Sequence, residues 1–517
     1  MLFNSYPFLL LFLPVTAIVF FRLGAYSHRL AAVWLGAASL FFYGYWNPAY
    51  VGLLLASIFF NYGIGLALAR EHDASRKRRG QLILASGIAA DLALLAYYKY
   101  ANFFLGSANS LLHTGWALPD ILLPLGISFF TFTQIAFLVD AWLGKAREYN
   151  FIHYLLFVTY FPHLIAGPVL HHKEMMPQFA QARTYQFSRD NMTIGLMIFS
   201  IGLFKKAVLA DGVSPYANMA FQSADAGAEL DLLAAWGGAL AYTVQLYFDF
   251  SGYSDMAIGI SRMFGIVLPL NFNSPYKASN IIDFWRRWHM TLSRFLRDYL
   301  YIPLGGNRKG PVRRLINLML TMLLGGLWHG ASWNFVLWGG LHGVYLMLNH
   351  AWRSLCGRHF ADVSSGAGSK LAAWALTFVA VVVAWVFFRA TTLGGALNML
   401  SGMAGLQGVN LPAAIQPKLG AAADLLQGLG VQFALGGGSR FMLTWSWVVC
   451  LLVIALFLPN AQELMSRHRP GLDFDPKAVT PRLEWQATPA WGLALAILAA
   501  AGVLSLSHAT QFLYYQF

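Results

Sequence analysis

The sequence predicts an all-α protein embedded in a membrane, and three observations carry that prediction. Hydrophobic residues make up 58% of the 517 residues and charged residues only 11%, whereas a water-soluble chain carries about 25% charged residues. Apolar stretches recur along the whole chain, without an internal repeat or a soluble domain. The excess of 35 Lys and Arg over 22 Asp and Glu collects in short loops between these stretches, which is typical of cytoplasmic loops and not of a nucleic-acid-binding surface. We therefore expect one membrane domain over 1–517.

The apolar stretches set the expected number of helices. They cover 7–23, 31–47, 50–69, 82–98, 121–142, 151–168, 193–209, 235–269, 315–328, 331–350, 371–388, 441–459 and 490–507. Taken as transmembrane or re-entrant helices, they predict about 11–13 such elements. Cys450 lies inside one stretch and Cys356 is the other cysteine of the chain, so no disulfide framework is expected.

Basic residues predict the orientation of the first half. Arg22 and Arg29 follow the first apolar stretch instead of preceding it, so this stretch is expected to be a membrane helix and not a signal peptide. The loop 70–80, "REHDASRKRRG", is strongly basic and is expected in the cytoplasm. The N-terminus is then expected on the external side.

The stretch 151–168 interrupts the simple alternation of sides. Lys145 precedes it and Lys173 follows it, so both flanking loops favour the cytoplasm although one span separates them. Its "FPHLIAGP" contains Pro162 and Gly167, which break a helix. We expect a re-entrant element whose loosened backbone is buried in protein or lines a cavity.

The second half alternates regularly. The loops 305–314 and 460–488 are basic and are expected in the cytoplasm, whereas the glycine-rich, charge-poor stretch 391–440 is expected outside. The last apolar stretch then exits outward. The aromatic tail 508–517, which ends in "FLYYQF", is therefore expected at the external face.

His329 is the first candidate site residue. It lies in "NLMLTMLLGGLWHGASWNFVLWGGLHG" at 317–343, after an apolar run of 14 residues, which is short for a span and typical of a buried or re-entrant helix. At ~1.5 Å per residue from Arg314 it reaches about 22 Å deep, where ionisable residues are usually functional. The alternative is a structural histidine in a helix bundle. Nearby glycines either allow close helix approach or leave space for a channel: Gly325, Gly326, Gly330, Gly339 and Gly340.

A second candidate segment is "IIDFWRRWHMTLSRFLRDYLYIPLGG" at 281–306, which contains His289. Apolar and basic residues alternate at helical spacing, and two i,i+4 ion pairs are expected, Asp283 with Arg287 and Arg294 with Asp298. In one interpretation an interfacial helix places its arginines on lipid phosphates. In the other, an anionic cosubstrate at the cytoplasmic mouth binds the arginines: Arg286, Arg287, Arg294 and Arg297.

Three acids also lie in apolar surroundings, Asp91, Asp249 and Asp255. Ionisable residues there are usually functional, and the alternative is that each only neutralises a nearby arginine. The adjacent pair His171–His172 does not have the spacing of a metal site, and zinc needs more ligands than the sequence supplies there. No metal site is predicted.

Several motifs resemble the membrane-bound O-acyltransferase (MBOAT) family, and within it the bacterial branch that acetylates exported polysaccharides. The resemblance rests on "FWRRWHMTLSRFLRDYLYIPLGGNR", "NLMLTMLLGGLWHGASWNFVLWGGLHG", "LLPLGISFFTFTQIAFLVDAW", "FPHLIAGPVL", "AYTVQLYFDFSGYSDMAIG" and "NFNSPY". It extends from the first residue to the last.

The resemblance implies a ring of helices around a tunnel in a bacterial inner membrane, with the family's invariant histidine at His329 and a second one at His289. It also implies a cytoplasmic thioester donor, with acetyl-CoA expected, and a periplasmic SGNH-type partner that passes acetyl to an exported polysaccharide. Alginate, cellulose, another exopolysaccharide and peptidoglycan all remain open as acceptors. Trp328 and Trp288, which adjoin the two histidines, are expected to contact the donor. A neutral imidazole can take the proton of an attacking hydroxyl, and no permanently bound cofactor is expected.

The tail carries one further candidate, Tyr514. The pattern Phe512-Leu513-Tyr514-x-x-Phe517 resembles an ending found in this family or on helper subunits of its D-alanylating relatives, where the tyrosine is thought to carry the acyl group. A phenol of pKa about 10 makes an acyl ester roughly as activated as a thioester. The alternative is an aromatic anchor at the membrane interface.

A transporter or polysaccharide flippase is the rival function of another class. Transporters often contain internal repeats and paired broken helices. Helix breaks are expected here, but the sequence contains no internal repeat.

Overall fold

The computed structural model describes residues 1–147, 150–165, 167–356, 366–436, 438–476, 483–508 and 512–513. The predicted all-α class is confirmed. In the described ranges the strands are β1 (Val409–Asn410) and β2 (Val431–Gln432), which pair in parallel.

Most helices up to the middle of the chain follow the predicted apolar stretches with shifted ends, and three lie between those stretches. They are α1 (Leu13–Gly24), α2 (His28–Gly44), α3 (Ala49–Asp73), α4 (Lys77–Leu95), α5 (Ala101–Leu112), α6 (Ile127–Trp142), α7 (Phe151–Thr159), α8 (Phe161–Leu164), α9 (His172–Phe179), α10 (Arg189–Phe204), α11 (Asp211–Asp225) and α12 (Leu232–Met263).

The helices of the remaining chain include short pieces between long ones. They are α13 (Ile281–Trp285), α14 (Met290–Leu296), α15 (Gly310–His329), α16 (Trp333–Cys356), α17 (Ala367–Arg389), α18 (Leu393–Met403), α19 (Gln416–Leu419), α20 (Ala421–Gly428), α21 (Ser439–Phe457), α22 (Ala461–Leu464) and α23 (Pro489–Leu504).

Wider and tighter helical turns connect or extend several of these helices. Wider π-type turns span Phe8–Phe12, Ala96–Tyr100, Lys205–Ala210 and Arg297–Tyr301, and 3₁₀ turns span Ala182–Tyr185, Pro275–Lys277, Ala413–Ile415, Ser466–His468 and Ser505–His508. π-type turns occur often at functional sites. Three of them carry residues described with the candidate site below.

Six helical segments within the described ranges are long and apolar enough to cross a membrane. They are Ala49–Asp73, Lys77–Leu112, Arg189–Asp225, Ala367–Arg389, Ser439–Phe457 and Pro489–Ser507, and shorter apolar helices cover Phe8–Gly24 and Ile127–Trp142. The chain is therefore a polytopic membrane protein. Other predicted stretches form helices that are shorter, broken or more polar.

The helix α12 lies at the centre of the protein. Most of its residues are buried, from Ala235 to Met263, because α10, α11, α17, α18 and α21 all pack against it. Small residues allow the closest of these contacts: a Cβ added at Gly202 of α10 would lie 2.6 Å from the carbonyl oxygen of Gly252. The same helix contacts both the candidate site and the end of the chain.

Short helices occur in two stretches that the sequence singled out, 151–168 and 391–440. Residues 151–168 form the short helices α7 and α8 with a break at Tyr160, and Tyr160, Pro162 and His163 are buried, as expected for loosened backbone surrounded by protein. The stretch 391–440 contains α18, α19, α20 and both strands, so it is more ordered than the predicted loop.

Candidate active site

His329 is the last residue of α15, which is longer than the sequence predicted. The helix begins at Gly310 and has 20 residues, because Arg313 and Arg314 belong to its first turns instead of preceding it. The predicted apolar run of 14 residues is therefore part of a longer helix, which is not among the six segments that are long and apolar enough to cross a membrane. At ~1.5 Å per residue, His329 lies about 28 Å from the start of α15.

The helices α15 and α16 contact each other backbone to backbone. A Cβ added at Gly326 would lie 2.2 Å from the carbonyl oxygen of Phe335, and one added at Gly339 would lie 2.3 Å from that of Met322. Of the two interpretations of these glycines, close helix approach is confirmed at these positions. The contact holds the end of α15, and with it His329, against the first turns of α16.

Aromatic rings enclose the imidazole of His329, of which only 4% is exposed. Its ring centroid is 5.0 Å from that of Trp328, 5.0 Å from that of Trp338 and 5.2 Å from that of Phe388. Such an enclosure restricts the access of water to the ring.

The segment 281–306 is not one continuous helix, which corrects the predicted amphipathic helix. It consists of α13, a break, α14 and a π-type turn, and His289 at the break has φ of 43°. Main-chain bonds from a neighbouring segment hold the break open: the N–H of Asn273 donates to Arg287 and the N–H of Met290 donates to Asn271, both at 2.9 Å. A left-handed backbone at a non-glycine residue is uncommon and marks sites where tertiary contacts impose it.

The contacts of Asn271 define the tautomer of His289. The main-chain N–H and the hydroxyl of Thr291 both donate to Oδ1 of Asn271, at 3.4 and 3.0 Å. Because a main-chain N–H can only donate, this atom is the amide oxygen. Nδ1 of His289, 3.0 Å from the same oxygen, must therefore carry a proton and donate it. In the neutral ring Nε2 is then the deprotonated nitrogen, which suits it to accept a proton or orient a hydroxyl.

The two predicted histidines lie together although 40 residues separate them in the chain. Their ring centroids are 6.4 Å apart, and Trp328 lies 6.3 Å from His289 and 5.0 Å from His329. His289 is fully buried. A neutral imidazole can accept a proton from a hydroxyl within hydrogen-bond reach, and here two imidazoles lie side by side.

Lys99 and Tyr100 cap the end of α15, and the sequence prediction missed both. Nζ of Lys99 donates to the carbonyl oxygens of Trp328 at 2.6 Å and His329 at 3.3 Å, and to Oγ of Ser128 at 3.2 Å. The Tyr100 hydroxyl donates to the carbonyl of Leu327 at 2.9 Å. A cation is favourable at the C-terminus of a helix, where carbonyls lack helical partners. The available signal was a lysine at the edge of an apolar stretch.

The predicted donor-binding residues are in different surroundings. Trp328 lies at the histidine pair, but the Trp288 ring packs on Phe272, Phe284 and Trp385 in the core, which favours a structural role. Arg286 is exposed. Contact of these residues with a donor stays a prediction.

The ion pairs of the basic segment are confirmed in part. Arg287 pairs with Asp283 at 2.9 Å, as the i,i+4 spacing predicted. The predicted pair of Arg294 with Asp298 is wrong: Arg294 instead contacts Glu174 at 2.8 Å and Asp473 at 3.0 Å, because both acids are brought to it by other segments. Asp298 pairs with Arg297 at 2.7 Å.

The buried acids have lysine or amide partners instead of arginines. Asp255 pairs with Lys205 at 2.6 Å, and Asp249 pairs with Lys206 at 2.6 Å. Asp91 accepts a hydrogen bond from Asn61 at 2.8 Å. Both lysines lie in the π-type turn Lys205–Ala210, and both pair with acids of α12.

A polar cluster lies along an aromatic row that leads away from the histidine pair. The Tyr299 hydroxyl donates to Asp140 at 2.9 Å and lies 3.0 Å from Nδ1 of His171. Tyr299 packs on Phe295 (5.0 Å), Phe295 on Phe132 (4.4 Å) and Phe132 on Trp328 (5.3 Å). Burial lowers the pKa of His171 to about 4, so its imidazole is neutral near pH 7. No group of three or more metal-ligating side chains occurs in the part of the chain that the structure describes.

The beginning of the aromatic tail is buried in the protein. Phe512 is 1% exposed and stacks on Tyr253 with a centroid distance of 4.5 Å, and the N–H of Leu513 donates to Asp249 at 3.1 Å. This part of the tail therefore turns into the core instead of resting at an interface. Tyr514 lies outside the described residues.

Comparisons with known proteins agree with the motifs that suggested a family. A family model for the membrane-bound O-acyltransferase family matches residues 144–390. The chain is 46% identical over 442 residues to a peptidoglycan O-acetyltransferase of Helicobacter pylori, a match that covers 80% of this chain and 81% of the relative. It is 42% identical over 408 residues to a probable alginate O-acetylase of Azotobacter vinelandii, covering 78% of each.

A more distant relative is a teichoic acid D-alanyltransferase of Bacillus subtilis. It is 32% identical over 231 residues, covering 43% of this chain and 58% of the relative. The named relatives are acyltransferases, and the described helices include membrane-spanning candidates. The chain therefore belongs to the membrane-bound O-acyltransferase family and is a membrane-embedded acyltransferase.

Proposed function

We propose that this protein takes acetyl from a cytoplasmic thioester donor, acetyl-CoA, and passes it across the inner membrane for O-acetylation of an exported polysaccharide. The observation that carries the proposal is the buried pair of His289 and His329, whose ring centroids are 6.4 Å apart. The pair supplies proton acceptors, and the enclosing rings of Trp328, Trp338 and Phe388 restrict water. Acyl transfer to a hydroxyl needs both.

In the proposed step a hydroxyl oxygen attacks the acetyl carbonyl carbon while His329 takes the hydroxyl proton. The carbon–sulfur bond then breaks, and the leaving thiolate takes the proton back from the imidazolium, so that free coenzyme A and an ester are formed. Lys99 holds the carbonyl of His329 and so orients the ring. His289, whose Nδ1 is fixed on Asn271, orients the attacking hydroxyl through Nε2.

The hydroxyl that attacks first is proposed to be the phenol of Tyr514. The burial of Phe512 and Leu513 supports this assignment, because Tyr514 is the next residue in the chain and Phe512 lies 5.7 Å from Phe250, which contacts His289 at 4.7 Å. An aryl ester is activated enough to pass its acetyl to an alcohol. The serine of a periplasmic SGNH-type partner would attack that ester and transfer acetyl to the polysaccharide.

Two acceptors deserve direct comparison because the names of the relatives differ. The match at 46% identity is named for peptidoglycan and the matches near 42% are named for alginate. The two acceptors are distinguished by comparing a deletion strain with the complemented strain. Peptidoglycan and secreted polysaccharide are purified from each strain, mild base hydrolyses their O-acetyl esters, and the released acetate is quantified. The acceptor is the polymer whose ester content depends on this protein.

Transfer of radioactive acetyl from acetyl-CoA to the purified protein tests the mechanism. Wild type should become labelled, and His329→Ala should stay monodisperse without label. His113→Asn is the matched control, since His113 is exposed with φ of 52°, a backbone that asparagine tolerates. Polymer acetylation at the wild-type level in His329→Ala would refute the role of His329.

The tail is tested in the same assay with two conservative variants. Tyr514→Phe removes one phenol oxygen and keeps the ring, so labelling and polymer acetylation should be lost. Tyr515→Phe makes the identical change one residue later and should behave as wild type. Normal acetylation by Tyr514→Phe would leave the tail as an anchor only.

A further inference from the structure

A buried ion cluster lies where the tail enters the protein. Nζ of Lys206 is 2.7 Å from a carboxylate oxygen of Asp211 and 2.6 Å from one of Asp249, and the three side chains are at most 5% exposed. Asp211 belongs to the chain segment that follows Lys206, whereas Asp249 is on α12. One ammonium group thus faces two carboxylates.

Asp249 is bound through both of its carboxylate oxygens. A buried carboxylate is costly unless it is paired and hydrogen-bonded. One oxygen pairs with Lys206, and the second accepts the main-chain N–H of Leu513 at 3.1 Å. A main-chain N–H on a buried carboxylate is a charge-assisted hydrogen bond, so Asp249 joins the tail to the ion cluster.

The residue before Leu513 is fixed by ring stacking on the same helix. Phe512 stacks on Tyr253 at 4.5 Å, and Phe3 from the beginning of the chain also stacks on Tyr253, at 4.8 Å. Tyr253 is four residues after Asp249, so both project from one face of α12. Phe250, between them in the chain, contacts His289 at 4.7 Å.

We propose that Asp249 is a positioning residue that docks the tail, by binding the main chain of Leu513 while Tyr253 binds Phe512, and thereby delivers the following residue to the histidine pair. The inference rests on the proposed role of Tyr514 as acyl acceptor. Lys206 keeps the carboxylate of Asp249 in place.

Thiol labelling measures docking without reference to catalysis. The parent is the full-length protein with Cys356→Ser and Cys450→Ser, so that its natural thiols do not react. Leu513→Cys then introduces one thiol at a position that is 5% exposed. The rate at which a maleimide modifies this thiol reports how often the tail separates from α12. Asp249→Asn should raise this rate about tenfold or more, because the single amide oxygen left is shared between the Lys206 ammonium and the Leu513 N–H, and the charge that strengthens the bond is lost. Acetyl incorporation should fall in parallel.

Asp211→Asn is the matched control, since it removes a carboxylate from the same lysine and keeps Asp249, which accepts the N–H of Leu513. It should leave the labelling rate of Leu513→Cys near that of the parent. Equal protection of the thiol in Asp249→Asn and in the parent would overturn the inference, and so would equal acceleration by the two variants.

Phe512→Ala tests the docking of the tail even if Asp249→Asn fails to fold. It alters only the tail and leaves the ion cluster intact, so it should also expose the thiol and reduce acetyl incorporation. A protected thiol in Phe512→Ala would overturn the docking. A parent protein that shows a protected thiol but takes no acetyl would instead refute the proposed acceptor and leave the docking in place.

Discussion

Replacing Lys99 by methionine is expected to impair catalysis more than folding. Lys99 is 229 residues from Trp328 in the chain, and its Nζ donates to the last two carbonyls of α15 and to Ser128. Methionine keeps most of the aliphatic length and removes the charge and all three hydrogen bonds. Hydrogen bonds to a charged group contribute ~1.5–3 kcal/mol and a cation at a partly buried helix end up to ~2 kcal/mol. Relief from burying the ammonium offsets part of this, so a net loss of about 1–2 kcal/mol is expected.

The expected loss of catalytic rate follows from the position of Lys99, which binds the carbonyl of His329. His329 is the last helical residue, so release of its carbonyl lets the final turn relax, and a displacement of about 1 Å in a reacting group costs about 100-fold in rate. We expect kcat for acetyl transfer to fall between about 10-fold and 100-fold, with the donor KM changed less than about twofold. Release of coenzyme A, measured with a thiol reagent on protein in nanodiscs, gives both constants.

Tyr100→Phe is the matched control for Lys99→Met. It removes a neutral hydrogen bond to the carbonyl of Leu327, one residue earlier in the same turn, and should cost about 1 kcal/mol of stability with little effect on kcat. If Lys99→Met turned over at the wild-type rate, or if both variants lost rate equally, the lysine would not orient His329.

Three other predictions follow from the same contacts. Gly339→Ala should lower the melting temperature, because its Cβ would meet the carbonyl oxygen of Met322 at 2.3 Å. Arg286→Glu should raise the donor KM at an unchanged melting temperature. Arg294→Glu should instead destabilise the fold, because the guanidinium of Arg294 pairs with two acids. An unchanged donor KM in Arg286→Glu would favour the lipid-facing interpretation. Lowering the pH from 7 to 5 should cost about 2 kcal/mol through His171, because burial lowers its pKa to about 4 and the unfolded chain, with a pKa near 6.5, binds the proton first. His171→Asn should flatten that loss in denaturation curves.

The sequence was informative wherever the signal is local. Apolar runs identify helices, since each helix must bury or expose its own side chains to lipid, and the Asp283–Arg287 pair follows from i,i+4 geometry within one helix. His329 and His289 were found because ionisable residues in apolar surroundings are expensive. These inferences need no knowledge of which segments meet.

Other features depend on contacts between distant segments and could not be derived. Residues 281–296 read as a continuous helix, because they contain neither proline nor glycine. The break at His289 is imposed by main-chain bonds from Asn271 and Asn273, which no local pattern records. Likewise Arg294 has a suitable partner four residues away but binds Glu174 and Asp473, since tertiary packing places those acids closer.

The helix α12 links the two ends of the proposed reaction. Asp249 and Tyr253 hold the tail, and Phe250 contacts His289, so three neighbouring residues on one helix set the distance between the bound residues of the tail, Phe512 and Leu513, and the histidine. A buried helix that packs through Gly202 and Gly252 against α10 cannot shift without displacing backbone, because cores are close-packed. The same rigidity that fixes His289 therefore fixes the seat of Phe512 and Leu513. If the tail carries the acyl group as proposed, the acyl group leaves the site when Leu513 separates from Asp249 and Phe512 separates from Tyr253. The histidine pair does not need to move.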